Sequence, residues 1–396
     1  MKNYFLTGMF CLSLTGSLCA QSSGLPYWQD IQTVAVNKEK PRTEFMSYDD
    51  ARTAGSTPFE QSKYYLSLNG TWKFLYVDSY KKLPADATSA DVHTASWNDI
   101  QVPGNWEMQG FGTAIYTNHG YEFKPRNPQP PALPENNPVG IYRRDFEIPA
   151  GWDGRDVYLH INGAKSGLYV YINGREVGYS EDSKNPAEFL INPYLKQGKN
   201  IVTLKIFRWS TGSYLECQDF WRISGIERDV YLWSQPKIAV NDFRIVSTLD
   251  DSYLNGIFRL AVDVKNHSSK AENVTVSYRL IDEHRAEVAT GNRTLSVEAG
   301  TTQTFSFGNL LEKVARWSAE QPHLYRIVMT VEANGNACEA VPYRVGFRRF
   351  EMKQTEALAA NGKPYTVMLF NGQPIKFKEV NIHEHNPKTG YLHCKK

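Results

Sequence analysis

Past its first twenty residues the 396-residue chain has no apolar stretch approaching the ~20 residues that a membrane-spanning helix needs. It has no surplus of one charge. The 44 Lys and Arg against 42 Asp and Glu leave a formal +2, so there is no single-sign field to gather nucleic acid or an anionic membrane. It has few cysteines, five in all. Two of them, Cys11 and Cys19, fall in the first twenty residues, where Lys2, an apolar run over 4–18 and Leu18-Cys19-Ala20 before Gln21-Ser22-Ser23 read as a secretory signal cut after Ala20. A secreted or periplasmic protein is expected. Lipid anchoring at Cys19 is the weaker reading, because bulky Leu18 stands where a small residue is wanted. The remaining Cys217, Cys338 and Cys394 are odd in number and widely spaced, neither a disulfide framework nor a zinc pattern. Stability is expected from packed cores. There is no internal repeat and no low-complexity tract.

What the chain has in excess is aromatic residues: 9 Trp, 23 Tyr and 19 Phe, 13% of the total. These favour pleated strands and stack on flat apolar ligand faces. At roughly 150 residues per domain the length allows two or three domains. Period-two runs start at residue 64: residues 64–68, Asn69-Gly70, then 71–76 read as a strand, a tight turn and a strand. Residues 168–172, Asn173-Gly174 and 175–179 form a stronger hairpin signal, and 156–162 and 200–207 alternate in the same way. Residues 60–235 are therefore expected to form one antiparallel β-sandwich, preceded by an N-terminal extension over 21–59. Within it, 118–138 carries six prolines and no periodicity, the mark of a long functional loop. Strand patterns at 256–264, 274–281, 294–297, 302–307 and 324–332 fit an immunoglobulin-like sandwich over 236–347. Residues 348–396 read differently: a hairpin turning at Asn371-Gly372, then one strand over 375–385 that opens something larger.

The loop 208–230 is dense in Trp, Tyr, carboxylates and Arg, around Asp219-Phe220-Trp221-Arg222-Ile223-Ser224-Gly225-Ile226. Aromatic faces beside carboxylates suit a sugar, with its apolar C–H patches and rim of hydroxyls. On composition alone, Asp219 with Arg222 as a loop ion pair and Trp221 as a core anchor explain the loop better. That segment resembles glycoside hydrolase family 2 when joined to Arg228-Asp229-Val230, Val102-Pro103-Gly104-Asn105-Trp106, Ile115-Tyr116-Thr117-Asn118 and Asn381-Ile382-His383-Glu384-His385-Asn386-Pro387. The likeness runs from about Leu66 to Gly390 in unbroken motif order, and within the family the His-Glu-His-Asn-Pro run is most similar to the large bacterial β-galactosidases.

The resemblance implies an all-β chain: a jelly-roll sugar-binding sandwich, an immunoglobulin-like sandwich, then the first strands of an incomplete TIM barrel. It implies that Asn118 reaches into a galactose pocket, that Asp219 binds galactose hydroxyls and a monovalent cation such as sodium, and that His383 holds a further hydroxyl. Their bland readings are a turn cap for Asn118 and core histidines for His383 and His385. A two-histidine metal site is the sharp alternative, weak without a third ligand. Retaining glycosidases use two carboxylates ~5 Å apart, and in this family both are glutamates on later strands of a barrel of ~250 residues. The catalytic residues are thus expected beyond residue 396, the chain alone inactive, and Phe377, Val380 and Ile382 without partner strands. Glu384 is no substitute, since strand alternation turns it away from the face of His383 and His385. Magnesium, a β-galactoside or larger glycan as substrate, and a homo-oligomer are what the resemblance implies for the whole protein. The alternatives are a stand-alone carbohydrate-binding module, or a β-glucuronidase or β-mannosidase of the same family.

Overall fold

The computed structural model describes residues 24–123, 127–358, 360–381 and 386–392; the expected signal at 1–20 lies outside them. The described chain is nearly all β. The first sandwich pairs a seven-stranded antiparallel sheet, in the order 35–36, 175–180, 167–172, 199–207, 139–147, 70–77 and 98–102, with a four-stranded one, 187–190, 156–161, 230–235 and 65–67. Alternation decides what each face packs on. Leu168, Val170 and Ile172 point between the sheets with Leu159, Ile161 and Leu232, whereas Tyr169 and Tyr171 point outward. Outward does not mean exposed: Trp28, Ala87 and Trp97, from segments laid over that face, bury them.

The hairpin at Asn173-Gly174 forms, with φ of 51° and 77° at the turn and a bulge between Val170 and Tyr171. The pattern at Asn69-Gly70 ends differently. Residues 65–67 pair with 230–235 in one sheet, and Gly70–Val77 pairs with 98–102 and 139–147 in the other. The dipeptide is therefore a corner between sheets. Asn69 holds it, accepting from the Val230 N–H at 2.9 Å and donating to Asp229 at 2.8 Å, while Gly70 takes φ of 117°.

The second sandwich has seven strands, three (238–249, 256–266, 302–311) packed on four (287–297, 272–281, 325–333, 336–345). Its core is aliphatic, with Val262, Val264, Val274, Val276, Ile327 and Val331 fully buried. The two sandwiches meet around Asp156, whose carboxylate takes His267 at 2.6 Å, Lys265 at 3.4 Å and Lys237. Burial alone would raise this carboxyl, but the His267 hydrogen bond and the two ammonium groups outweigh it and hold it well below the usual range.

Phe350–Leu358, Pro364–Phe370 and Gln373–Pro374 then form a small antiparallel sheet turning at Asn371-Gly372. The strand expected over 375–385 does not form over 375–381, and 382–385 lie outside the described residues. A strand needs a neighbour for its backbone groups, and among the described residues 375–381 pair with none: Phe377 is 64% exposed and Val380 85%. No closed barrel is present among the described residues. Cys217 and Cys338 are both free.

Candidate functional site

Ile115–Thr117 pairs antiparallel with Phe220–Arg222 in an isolated ribbon, Thr117 opposite Phe220 and Ile115 opposite Arg222. Asn118 follows the last paired residue of one strand and Asp219 precedes the first of the other, and both are exposed at that end of the ribbon. The Tyr116 hydroxyl donates to Asp219 Oδ1 at 2.7 Å, and that bond pushes the phenol's pKa up. The rings of Tyr116 and Trp221 meet edge to face at 5.6 Å. Asn118 Oδ1 lies 2.7 Å from His119 Nδ1 at the turn.

The ribbon stands on buried charge. Arg222 is fully buried and donates to Glu216 O at 2.9 Å. Arg208 donates to Arg222 O at 3.2 Å and to Glu122 at 3.1 Å, and lies 3.5 Å from Glu107; Lys165 is 3.7 Å from Glu122. Burial pushes the Glu107 carboxyl up to about 7, although Arg208 and the Ser224 N–H at 2.7 Å pull the other way. Three two-residue strands, 104–105, 225–226 and 164–165, lock this layer. Gly225 sits at φ 108° where a Cβ would meet Tyr142 Oη at 2.8 Å and Gly104 O at 2.9 Å, so the Ser-Gly-Ile motif tolerates no side chain there.

Residues 386–392 return to this edge. The Tyr391 N–H donates to Asn105 Oδ1 at 3.1 Å, its hydroxyl to Trp221 O at 2.5 Å, and Lys184 lies 3.8 Å above its ring. Asn386, Pro387 and Gly390 close one wall of an apolar cavity of about 230 Å³ against Met108, Trp221 and Ile223. His383 lies outside the described residues. Among the described residues no group of three or more His, Cys, Asp or Glu could hold a metal ion; Asp219 offers a single hard oxygen donor of the kind a sodium or magnesium ion takes.

Of the three expected residues, Asn118 and Asp219 each adjoin a paired strand of the same ribbon, and His383 lies outside the described residues. Tyr116 as the partner of Asp219, and the layer of Glu107, Glu122, Lys165 and Arg208, were not foreseen. Glu107 directly follows the Asn105-Trp106 motif and Arg208 opens the aromatic loop, so charge at positions flanked by buried residues was the available signal. Tyr391 had none, since it follows the last matching motif residue.

Comparison with known proteins agrees. The family model for glycosyl hydrolases family 2, sugar binding domain, matches residues 65–236, and that for glycosyl hydrolases family 2 matches 238–348. A protein named beta-galactosidase from Priestia megaterium is 35% identical over 376 residues, 94% of this chain and 35% of that protein. Another of the same name from Halalkalibacterium halodurans is 35% identical over 371 residues, 93% of this chain and 35% of its own length. The chain therefore spans about a third of the length of these relatives. A solved structure of Bacteroides uniformis beta-glucuronidase 2 superposes with a TM-score of 0.68 at 21% identity, covering 83% of this chain and 36% of that one, a likeness of fold. Both sandwiches, with the ribbon inside the first match, carry the family's sequence pattern, and the chain belongs to glycosyl hydrolases family 2.

Proposed function

We propose that this protein is a β-galactosidase, releasing terminal β-D-galactosyl residues with retention of configuration, and that these 396 residues supply the substrate-holding edge of its site. The observation that carries the reading is the ribbon end where Asp219 has one carboxylate oxygen held by Tyr116 and Asn118 follows the last paired residue of the facing strand. A carboxylate held in this way accepts hydrogen bonds from sugar hydroxyls, and a neighbouring amide offers both a donor and an acceptor. The names of the sequence relatives support galactose over glucuronate or mannose. His383 joins them as a third hydroxyl partner.

The acid and nucleophile glutamates belong to a barrel outside these residues, so the chain alone binds without cutting. Asp219 fits a sodium ion as one of its oxygen ligands, and such an ion would help anchor a sugar hydroxyl. The protein works outside the cytoplasm, exported by residues 1–20, and the whole enzyme assembles as a homo-oligomer.

The test is hydrolysis of p-nitrophenyl β-galactoside by the 396-residue chain and by the same chain extended through its downstream reading frame. Only the extended protein should turn over. Asp219→Asn in it should lower kcat/KM roughly 10- to 100-fold, the loss of a hydrogen bond to a charged group. Turnover by the short chain would overturn the assignment of both carboxylates elsewhere, and preference for the glucuronide or mannoside would overturn the sugar.

A further inference from the structure

Arg208 is 3% exposed, and its bonds reach the segments on either side of Asn118 and the strand that follows Asp219. Nη1 donates to Thr113 O at 3.1 Å, two residues before the strand 115–117, and Nη2 donates to Arg222 O at 3.2 Å, the last residue of the facing strand 220–222. The planar fork thus spans both chains of the ribbon at the end away from Asn118 and Asp219. Nη2 also donates to Glu122 at 3.1 Å, four residues after Asn118, and the Arg208 N–H donates to Pro138 O at 2.9 Å, where the loop 118–138 ends. Trp209 reinforces that exit: its N–H donates to Asn137 Oδ1 at 3.0 Å and its carbonyl accepts from Asn137 Nδ2 at 2.7 Å.

Charge balance does not explain this pattern. Two carboxylates face the guanidinium, Glu122 and, at 3.5 Å, Glu107; Lys165, 3.7 Å from Glu122, supplies a second positive charge. Any cation would meet that need. Bridging carbonyls on two separate chains needs a rigid fork with several donors, which an ammonium on a flexible stem lacks. The ribbon needs such a bridge, because two strands of three residues are marginal by themselves. A slip of one residue would turn its side chains to the opposite face, so what pins the register also keeps Tyr116 where it reaches Asp219.

We propose that Arg208 is a positioning residue of the sugar site: by holding the two chains of the ribbon in register, and the loop 118–138 near its start and at its end, it aims Asp219 and Asn118 at the substrate without touching it. The inference rests on the substrate-holding role proposed for that edge.

The test has two parts. In the 396-residue protein, Arg208→Lys keeps the positive charge and removes the fork; hydrogen exchange of the amides in 115–117 and 220–222 should quicken about tenfold, with the strands of both sandwiches unchanged. Unchanged ribbon rates would overturn the proposal whatever the sugar is. In the extended protein, on whichever p-nitrophenyl glycoside it hydrolyses best, Arg208→Lys should lower kcat/KM about tenfold. In an Asp219→Asn background the same change should cost less than about twofold, because a residue that acts through Asp219 is not additive with it. Equal factors in both backgrounds would make Arg208 purely structural and overturn the proposal. Where Arg208→Lys does not fold, Glu122→Gln, which weakens the tie to the loop and leaves both carbonyl bonds, should lower kcat/KM about threefold and lose this effect in an Asn118→Ala background; a loss of the same size there overturns the proposal too. An extended wild-type protein that hydrolyses none of these glycosides fails the reading of the edge itself, a result distinct from equal factors in an active one.

Discussion

The two sandwiches are built from similar strands and handle their outer faces in opposite ways. In the first, Asp156–Ile161, Gly167–Ile172 and Val230–Gln235 are buried at every residue. In the second, Gly256–Asn266 and Glu272–Ile281 alternate between core and solvent for most of their length. The difference comes from what lies on top: Trp28 and Trp97 cover one sheet of the first sandwich, and Phe45 and Met46 cover the other. A sheet covered on both sides has to place its polar residues inside. His160 and Glu188 lie on such strands and pair with each other, and Glu107, Glu122 and Arg208 are buried in segments beside the sheets and tied together by charge. In the second sandwich, buried Lys265 and Glu339 both turn toward the first, to Asp156 and Gln235. The covered faces of the first sandwich thus hold buried charge, whereas the interior of the second is apolar.

The contrast can be broken most strongly at Arg208. Arg208→Ala leaves two buried carboxylates without their guanidinium and should cost about 3–5 kcal/mol. Eight of the nine tryptophans precede residue 236, so the fluorescence-detected urea transition should move to lower denaturant while far-UV dichroism retains a later step from the second sandwich. If both signals shift together, the sandwiches are one cooperative unit and the contrast fails. A smaller effect is expected from Glu107→Gln. With the folded carboxyl near 7 and an ordinary value of 4.5, the folded state keeps a proton that the unfolded chain releases. Its contribution is full below about 4.5 and is lost as pH rises through about 7. Glutamine should flatten that decline between pH 5 and 8; an unchanged slope would show that Glu107 titrates normally. The smallest effect belongs to the solvent face of the second sandwich. Arg279, 54% exposed and paired with Glu287, should lose less than about 1 kcal/mol on change to Ala, and a larger loss by thermal melting would mean that this face is covered after all.

How much of this was legible in the sequence depended on how local each cause is. Asn173-Gly174 and Asn371-Gly372 announce hairpins because flanking residues pair with each other across two positions. Asn69-Gly70 has the same letters and makes a corner, since residues 65–67 find their partner at 231–233. No local pattern carries that choice. At the site, the aromatic loop was visible, but Asn118 and Asp219 stood out only through a family's motif order. Tyr116 was missed because its bond to Asp219 depends on the register of two strands about a hundred residues apart. The strand expected at 375–385 illustrates the converse: alternation such as Ile375-Lys376-Phe377-Lys378 describes a strand only when a neighbour exists to pair with.

The return of residues 386–392 to Asn105 and Trp221 has a consequence in terms of effective concentration. Tyr391 is joined to the small sheet ending at Pro374 by a short stretch of chain, so its docking is an intramolecular event. Short tethers of this kind act like millimolar ligand. A single cut between 375 and 381 would turn the same contacts into a weak two-body association. The grip of Tyr391 on the ribbon is therefore set by the covalent continuity of an exposed segment that itself touches little, and the edge holding Asn118 and Asp219 is completed only while that segment is whole.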